Sequence, residues 1–495
     1  MTTTTAVRYE VVIGLEVHSQ LLTASKMFCS CSAAYAYAPP NTHVCPVCFG
    51  MPGVLPVINR RAVELTVLTG LALNCKVPAS AKFDRKNYPY PDLMKGYQIS
   101  QFDMPLCVDG WLEVEVGGEA RRLGITRVHL EEDTARLLHR EANGEGYSLL
   151  DVNRAGAPLM EIVSEPDMRS PEEAREYLVR LRQILQYIGV SAGNMEEGNF
   201  RCDANVSLRR FGASELGAKV EVKNMNSFRS VFRALEYEVE RQTAILDSGE
   251  RIAQETRGWV DGEAKTVSQR SKEQAHDYRY FPEPDLPPLA LSREFVEGVR
   301  ALLPELPVER RARLQDQFGL GLYEANLLTE NRAAADYFET AVNSEPAGRA
   351  HGRAQGVANW MLGDFTHALG DQQFANSKVA PAQLAALVDL QDSGQVTSKI
   401  AKSVFRLMYE SGGNPAAIIK DEGLAPISGG AELEEAALRV INGNEKAVSD
   451  YRAGKETVIR FLVGQLMKET RGRANPQEAE SALLAALSTK NGATP

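Results

Sequence analysis

The chain is poor in cysteine and has no long apolar run. Seven Cys in 495 residues are too few for a disulfide-stapled scaffold, and no apolar stretch reaches the roughly 18 residues a membrane span needs. Residues Met1 to Ala6 lack the basic stretch and apolar core of a secretory leader. The expected compartment is therefore a reducing cytoplasm, with no membrane partner. Positive charge is in deficit: 55 Lys and Arg against 65 Asp and Glu give a net charge of −10. That excludes a surface that coats nucleic acid throughout but permits a local basic site. The G-x-x-x-x-G-K-[ST] loop is missing, since Ala453-Gly454-Lys455-Glu456 fails at its last position, and so are a kinase glycine-rich loop, a G-x-S-x-G elbow and a papain-like Cys setting. Any phosphoryl transfer must use another scaffold, and a covalent hydrolase is disfavoured.

What is present is ordinary globular material, 44% hydrophobic and 24% charged, long enough for about three domains of roughly 150 residues. All seven Cys lie before residue 203, whereas the chain beyond about 295 is rich in Ala, Leu and charge at helical spacing. Between them, Tyr280 to Pro288 carries four prolines that stop a helix and favour an extended strut. The predicted fold class is α+β: a mixed-sheet domain over 1–293, an all-α domain over 294–407 and a small helical tail over 408–495. Strands are expected at Tyr9–Leu22, Arg121–Glu132 and Arg201–Arg209, from their period-two alternation. A helix should start at the capping box Ser170-Pro171-Glu172-Glu173 and stop at Gly189, and another should start at Ser227.

Four segments can carry chemistry. Cys29-x-Cys31 and Cys45-x-x-Cys48 offer four thiolates in two close pairs, the composition of a closed structural zinc site, with His43 as a competing ligand and four unlinked thiols as the plainer account. On one face of the first strand stand Glu16, His18 and Gln20; Arg127, His129 and Glu131 line another strand that runs into Glu132 and Asp133; Arg201, Asp203 and Asn205 line a third. Convergent carboxylates of this kind suit magnesium and phosphate, whereas separate solvated strand faces would mean nothing. The loop Lys82–Asp92 with Lys95–Gln101 is dense in cations and aromatic rings that can hold phosphate and stack on a base, or can be an ordinary Tyr/Pro-rich loop. Residues 449–475 hold six Lys and Arg against three Asp and Glu, either a site for a phosphate backbone or a mixed-charge helix face.

Taken in order, Gly14-Leu15-Glu16-Val17-His18, His43-Val44-Cys45-Pro46-Val47-Cys48, Phe83-Asp84-Arg85-Lys86-Asn87-Tyr88, Tyr97-Gln98-Ile99-Ser100-Gln101, His129-Leu130-Glu131-Glu132-Asp133, Asp151-Val152-Asn153-Arg154, Arg201-Cys202-Asp203-Ala204-Asn205 and the tail from Asp450 to Pro476 resemble the GatB family, the B subunits of tRNA-dependent amidotransferases. The resemblance runs nearly the whole chain. It implies a cradle domain, a helical domain and a YqeY-like tail. It also implies an ATP-dependent carbon–nitrogen ligase, acting within a complex, that converts misacylated Asp-tRNA(Asn) or Glu-tRNA(Gln) to the amide by phosphorylating the side-chain carboxylate and completing the reaction with ammonia. Carried over by residue, Glu16, His18, Glu132 and Asp203 would bind Mg2+, with Glu131 beside them in the catalytic set. Cys29, Cys31, Cys45 and Cys48 would bind structural Zn2+. Lys86, Tyr88, Lys95, Tyr97, Gln98 and Ser100 would lie near ATP or the tRNA acceptor end, and Arg452, Lys455, Lys468, Arg471 and Arg473 would grip tRNA. The implied partners are a glutaminase A subunit, which supplies ammonia because its Gly/Ser-rich signature is missing here, and a small C subunit completing a heterotrimer. The aspartyl- or glutamyl-tRNA synthetase is a further candidate partner. The rival readings are a non-catalytic tRNA-binding scaffold and, more remotely, a zinc hydrolase, for which four thiolates leave no open metal position.

Overall fold

The computed structural model describes residues 9–142, 144–271, 277–346, 348–370, 372–425, 427, 430–470 and 472–489. They form two compact units that divide between Leu306 and Pro307. The first is built on an eight-stranded sheet, its strands labelled in chain order β1 (Tyr9–Gln20), β2 (Cys107–Val116), β3 (Glu119–Glu132), β4 (Pro158–Ser164), β5 (Phe200–Arg210), β6 (Val220–Met225), β7 (Glu255–Val260) and β8 (Lys265–Ser271). Their spatial order is β8-β7-β6-β5-β1-β4-β3-β2. Every pairing is antiparallel except β6 with β7, which makes the sheet mixed, as expected.

The period-two alternation gives the sheet two unlike faces. Leu15, Val17, Val128, Leu130, Met160, Ile162, Cys202 and Ala204 are buried on one face in a single core with helices α1 (Arg60–Ala72), α2 (Pro171–Tyr187) and α3 (Phe228–Asp247). The opposite face carries the polar residues. The helix starts follow the sequence: Ser170 Oγ accepts from the Glu173 N–H at 3.2 Å with Pro171 in the first turn, and Ser227 Oγ accepts from the Ser230 N–H at 3.0 Å. The capping box is only half made. Glu173 accepts from the Arg169 N–H at 2.8 Å and pairs with Arg121 instead of returning to Ser170. Gly189, at φ +70°, ends helix α2 just past its cap at Ile188.

The proline segment is a strap, not a free strut. Phe281–Pro282 pairs with Asp84–Asn87, and Leu289–Ala290 pairs with Ser80–Ala81. The following helix, Arg293–Arg300, buries Val299 in the first core, so this unit runs to Leu306, past the junction expected near 293. In the second unit, all helical among the described residues, one core gathers residues from Leu314 to Ile419 and another from Ile427 to Leu487. Helix Ser398–Ser411 crosses position 407 and buries Met408 in the former, ending at Gly412 with φ +73°. None of the described helices is long and apolar enough to cross a membrane.

Candidate active site

The polar face of the sheet concentrates charge where β1 and β4 meet. Register places His18 opposite Arg201 on β5 and Glu161 on β4, and Glu161 opposite His129 on β3. His18 Nε2 lies 3.5 Å from Glu131 Oε1 and 3.5 Å from Glu161 Oε2, and His129 Nε2 approaches the same Glu161 oxygen at 3.2 Å. Burial works against a charged His18, but Glu161, Glu131 and Asp203 outweigh it and raise its pKa to about 9. Glu161 is held well below the usual carboxylate range: burial opposes ionisation, and His129 and His18 more than compensate. The cluster thus sets two imidazoles, His18 and His129, against two buried carboxylates. A divalent cation is the chemical alternative to the imidazolium proton there, and the ligand atoms of His18, Glu131 and Glu161 all lie within 4.8 Å of one another.

One row along the strands, Glu16 faces Asp203 in register. Asn205 Nδ2 donates to Glu16 Oε1 at 2.9 Å, and Lys223 Nζ pairs with Asp203 at 2.6 Å. The Asn205 side-chain oxygen is buried with no hydrogen-bond donor among the described residues, an acceptor left over beside two carboxylates, as a hydrated cation would use. Gln20 and Arg201 turn aside to Asp133, at 2.7 Å and 3.1 Å.

Glu132 does not join this group. It follows Glu131 on β3, so alternation turns it to the other side, where Lys95 pairs with it and the Ile99 N–H donates at 3.1 Å. It lines a cavity of about 250 Å3 together with Lys95, Tyr97, Arg85, Cys29 and Cys48. Of the loop residues, Ser100 Oγ donates to Glu131 Oε2 at 3.2 Å and Gln98 donates to the Glu132 carbonyl at 2.7 Å. The Lys86 ammonium lies 4.8 Å from the Tyr278 ring centroid and 5.9 Å from that of Tyr88. Burial lowers the Lys86 pKa, but Glu131, the tyrosines and Glu161 outweigh it and hold the amine protonated. Tyr97 has the Arg85 guanidinium stacked 4.2 Å above it.

The four thiols of Cys29, Cys31, Cys45 and Cys48 come together, with Sγ atoms within 4.8 Å of one another and those of Cys45 and Cys48 at 3.9 Å. Zinc bound at about 2.3 Å to each sulfur needs spacings of this order. Cys48 has its pKa drawn down by the Cys29 thiol, which donates to it, with the Cys45 N–H and the Lys26 ammonium assisting against burial. Lys26, fully buried, reaches Cys48 Sγ at 3.5 Å. His43 is not in the cluster: its backbone N–H donates to Asn153 at 2.8 Å.

Residues 11–297 match the GatB/GatE catalytic domain family, and residues 336–487 match the GatB domain family of the YqeY kind. The chain is 57% identical over 488 residues to the B subunit of the aspartyl/glutamyl-tRNA(Asn/Gln) amidotransferase of Dehalococcoides mccartyi (strain CBDB1), covering 97% of this chain and 99% of that one. It is 55% identical over 481 residues to the protein of the same name from Thermomicrobium roseum, covering 97% and 99%, and 53% identical over 489 residues to that from Herpetosiphon aurantiacus, covering 98% and 100%. The chain belongs to the GatB family.

The GatB resemblance read from scattered motifs is thereby borne out, together with the α+β fold ending in a helical YqeY-like domain. Among the residues it suggested, the fold brings His18 and Glu131 into one cluster and sets Glu16 and Asp203 beside it, while Glu132 stands apart with Lys95. Glu161 was not among the candidates, because it sits in the apolar run Leu159-Met160-Glu161-Ile162-Val163. The available signal was a lone charge in a central strand, which must be paired when buried. On the GatB tail, Arg452 and Lys468 are exposed, Lys455 pairs with Asp450 at 3.2 Å and Arg473 with Glu432 at 3.3 Å. Arg471 lies outside the described residues.

Proposed function

We infer that this chain is the B subunit of a glutamine-dependent amidotransferase, a ligase that works in a multi-subunit complex on misacylated tRNA and consumes ATP. It converts Asp-tRNA(Asn), Glu-tRNA(Gln) or both to the amidated forms. The observation that carries this reading is the buried cluster of His18, Glu131 and Glu161, in a chain related to amidotransferase B subunits over nearly its whole length. A side-chain carboxylate is a poor acceptor for ammonia; converting it to an acyl phosphate creates a leaving group. That transfer needs positioning and charge neutralisation, not a protein nucleophile.

In this reading Mg2+, held by His18, Glu131 and Glu161 with Glu16 and Asp203 adjacent, would neutralise phosphoryl oxygens. Lys86, protonated beside the acidic cluster, would bind a phosphate from the other side. His18 must lose its proton to serve as a ligand, so a metal and the imidazolium compete for the same place. Zn2+ in the four-thiolate group would be structural, because no coordination position is left for substrate. The glutaminase A subunit supplies ammonia and a small C subunit completes the assembly. The tail, through Arg452, Lys455, Lys468, Arg471 and Arg473, would hold the tRNA body, and the three-part division into cradle, helical domain and tail serves these tasks.

A non-catalytic scaffold would leave the cluster without a purpose. The test is ADP formation by the complete complex supplied with Mg2+, ATP and misacylated tRNA. We expect His18→Ala or Asp203→Asn to abolish it while tRNA binding persists; unchanged turnover favours the scaffold.

A further inference from the structure

Beside the acidic cluster stands a set of rings that the account above leaves without a task. Tyr280 stacks on Phe102 with centroids 4.3 Å apart and planes only 10° from parallel. Tyr278 meets Tyr280 edge-on at 6.1 Å and carries the Lys86 ammonium over its face.

The stack is held from both sides. Asn87 donates its backbone N–H to the Tyr278 carbonyl and its amide to the Arg279 carbonyl, both at 2.9 Å, and Phe281 continues as a strand partner of Arg85. The Phe102 N–H donates to the buried Asp84 carboxylate at 3.0 Å. Yet Phe102 remains 57% exposed. A single exposed apolar side chain needs no explanation. A phenylalanine fixed at its backbone, backed by a parallel ring and open to water differs, because its pose is set before any ligand arrives. Its backing ring is linked to the active site through Tyr278, which meets it edge-on and carries the Lys86 ammonium 4.8 Å from its own centroid.

We propose that the outer face of Phe102, backed by Tyr280, is a stacking platform for an adenine ring, so placed that the rest of the adenosine points to the pocket of Lys86, Glu131 and Glu161. The proposal rests on the amidotransferase reading, which supplies two adenine-bearing substrates, ATP and the 3′-terminal adenosine of aminoacyl-tRNA. Stacking on an aromatic ring contributes about 1–3 kcal/mol per base, enough for a clear change in KM.

The experiment uses the complete complex and compares wild type, Phe102→Ala and Phe102→Trp. With whichever of Asp-tRNA(Asn) and Glu-tRNA(Gln) the wild-type complex amidates, ADP formation is measured against ATP at saturating tRNA, and against that tRNA at saturating ATP. We expect Phe102→Ala to raise at least one KM about tenfold and Phe102→Trp to restore it, with glutamine hydrolysis by the glutaminase partner unchanged. A rise confined to ATP assigns the platform to the nucleotide, and a rise confined to tRNA assigns it to the terminal adenosine. Both KM values within twofold of wild type in Phe102→Ala would overturn the proposal, as would equal impairment in Phe102→Trp. Neither of these results touches the amidotransferase reading, which fails only if the wild-type complex itself forms no tRNA-dependent ADP.

Discussion

At Glu161 a carboxylate sits in a strand that otherwise reads as core, and burying it obliges the fold to provide partners. His18 and His129 fill that role from the strands on either side. The sequence puts Glu16, His18, Glu131 and Asp203 on polar strand faces because polar and apolar side chains alternate visibly there, and the fold has them on that face; at Glu161 apolar neighbours hide the alternation. The same period-two rule separates Glu131 from Glu132: adjacent residues in a strand cannot share a face, whatever their shared chemistry. The four thiols were legible because two close pairs are rare by chance, and the buried Lys26 beside Cys48 was not, since nothing in a sequence marks a lysine as buried. If the thiols hold zinc, Cys48→Ala removes both a ligand and the Lys26 contact. The purified protein should then drop from about one zinc per chain to near none, read by metal analysis after dialysis; full zinc content in the variant would remove Cys48 from the site.

Among the elements, the capped helices were the most legible, because Ser170 and Ser227 act locally and need no knowledge of the rest of the chain. Long-range pairing was not. The proline strap and the half-made capping box both owe their form to partners distant in sequence, Asp84–Asn87 in one case and Arg121 in the other. Helix α3 shows what such pairing is worth. Its buried Glu238 binds Arg241 and Gln242 on the helix, and Thr266 and Arg257 on the β7–β8 hairpin. Burial pushes its pKa up, but these partners outweigh burial and leave it below the ordinary carboxylate value. A folded-state pKa below the unfolded one gives stability that is present above about pH 4.3 and is lost as pH falls through the folded value. Glu238→Gln should therefore cost about 1–3 kcal/mol at pH 7, a gap that narrows on acidification. Urea unfolding followed at pH 7 and at pH 4 checks this, and a gap independent of pH would contradict it.

On the scale of the whole molecule, the order of parts was readable from composition, but the junctions were less so. Composition changes near residue 293, while packing carries the first unit on to Leu306 through Val299, and the helical core reaches Ile419 before the tail begins. A chain ended at Leu424 keeps both larger cores intact and loses the one that starts at Ile427. We expect this truncation to fold, to bind tRNA more weakly and to show a flatter dependence of log Kd on log salt, because fewer phosphate contacts remain. An unaltered affinity would remove the tail from tRNA recognition.

The central claim is that the buried His18–Glu131–Glu161 group performs the phosphoryl-transfer step. It is tested most directly by Glu161→Gln, which preserves shape and removes the charge. In the complete complex, tRNA-dependent ADP formation should fall by about 10²-fold or more with tRNA affinity within twofold of wild type. ADP formation at the wild-type rate would contradict the account.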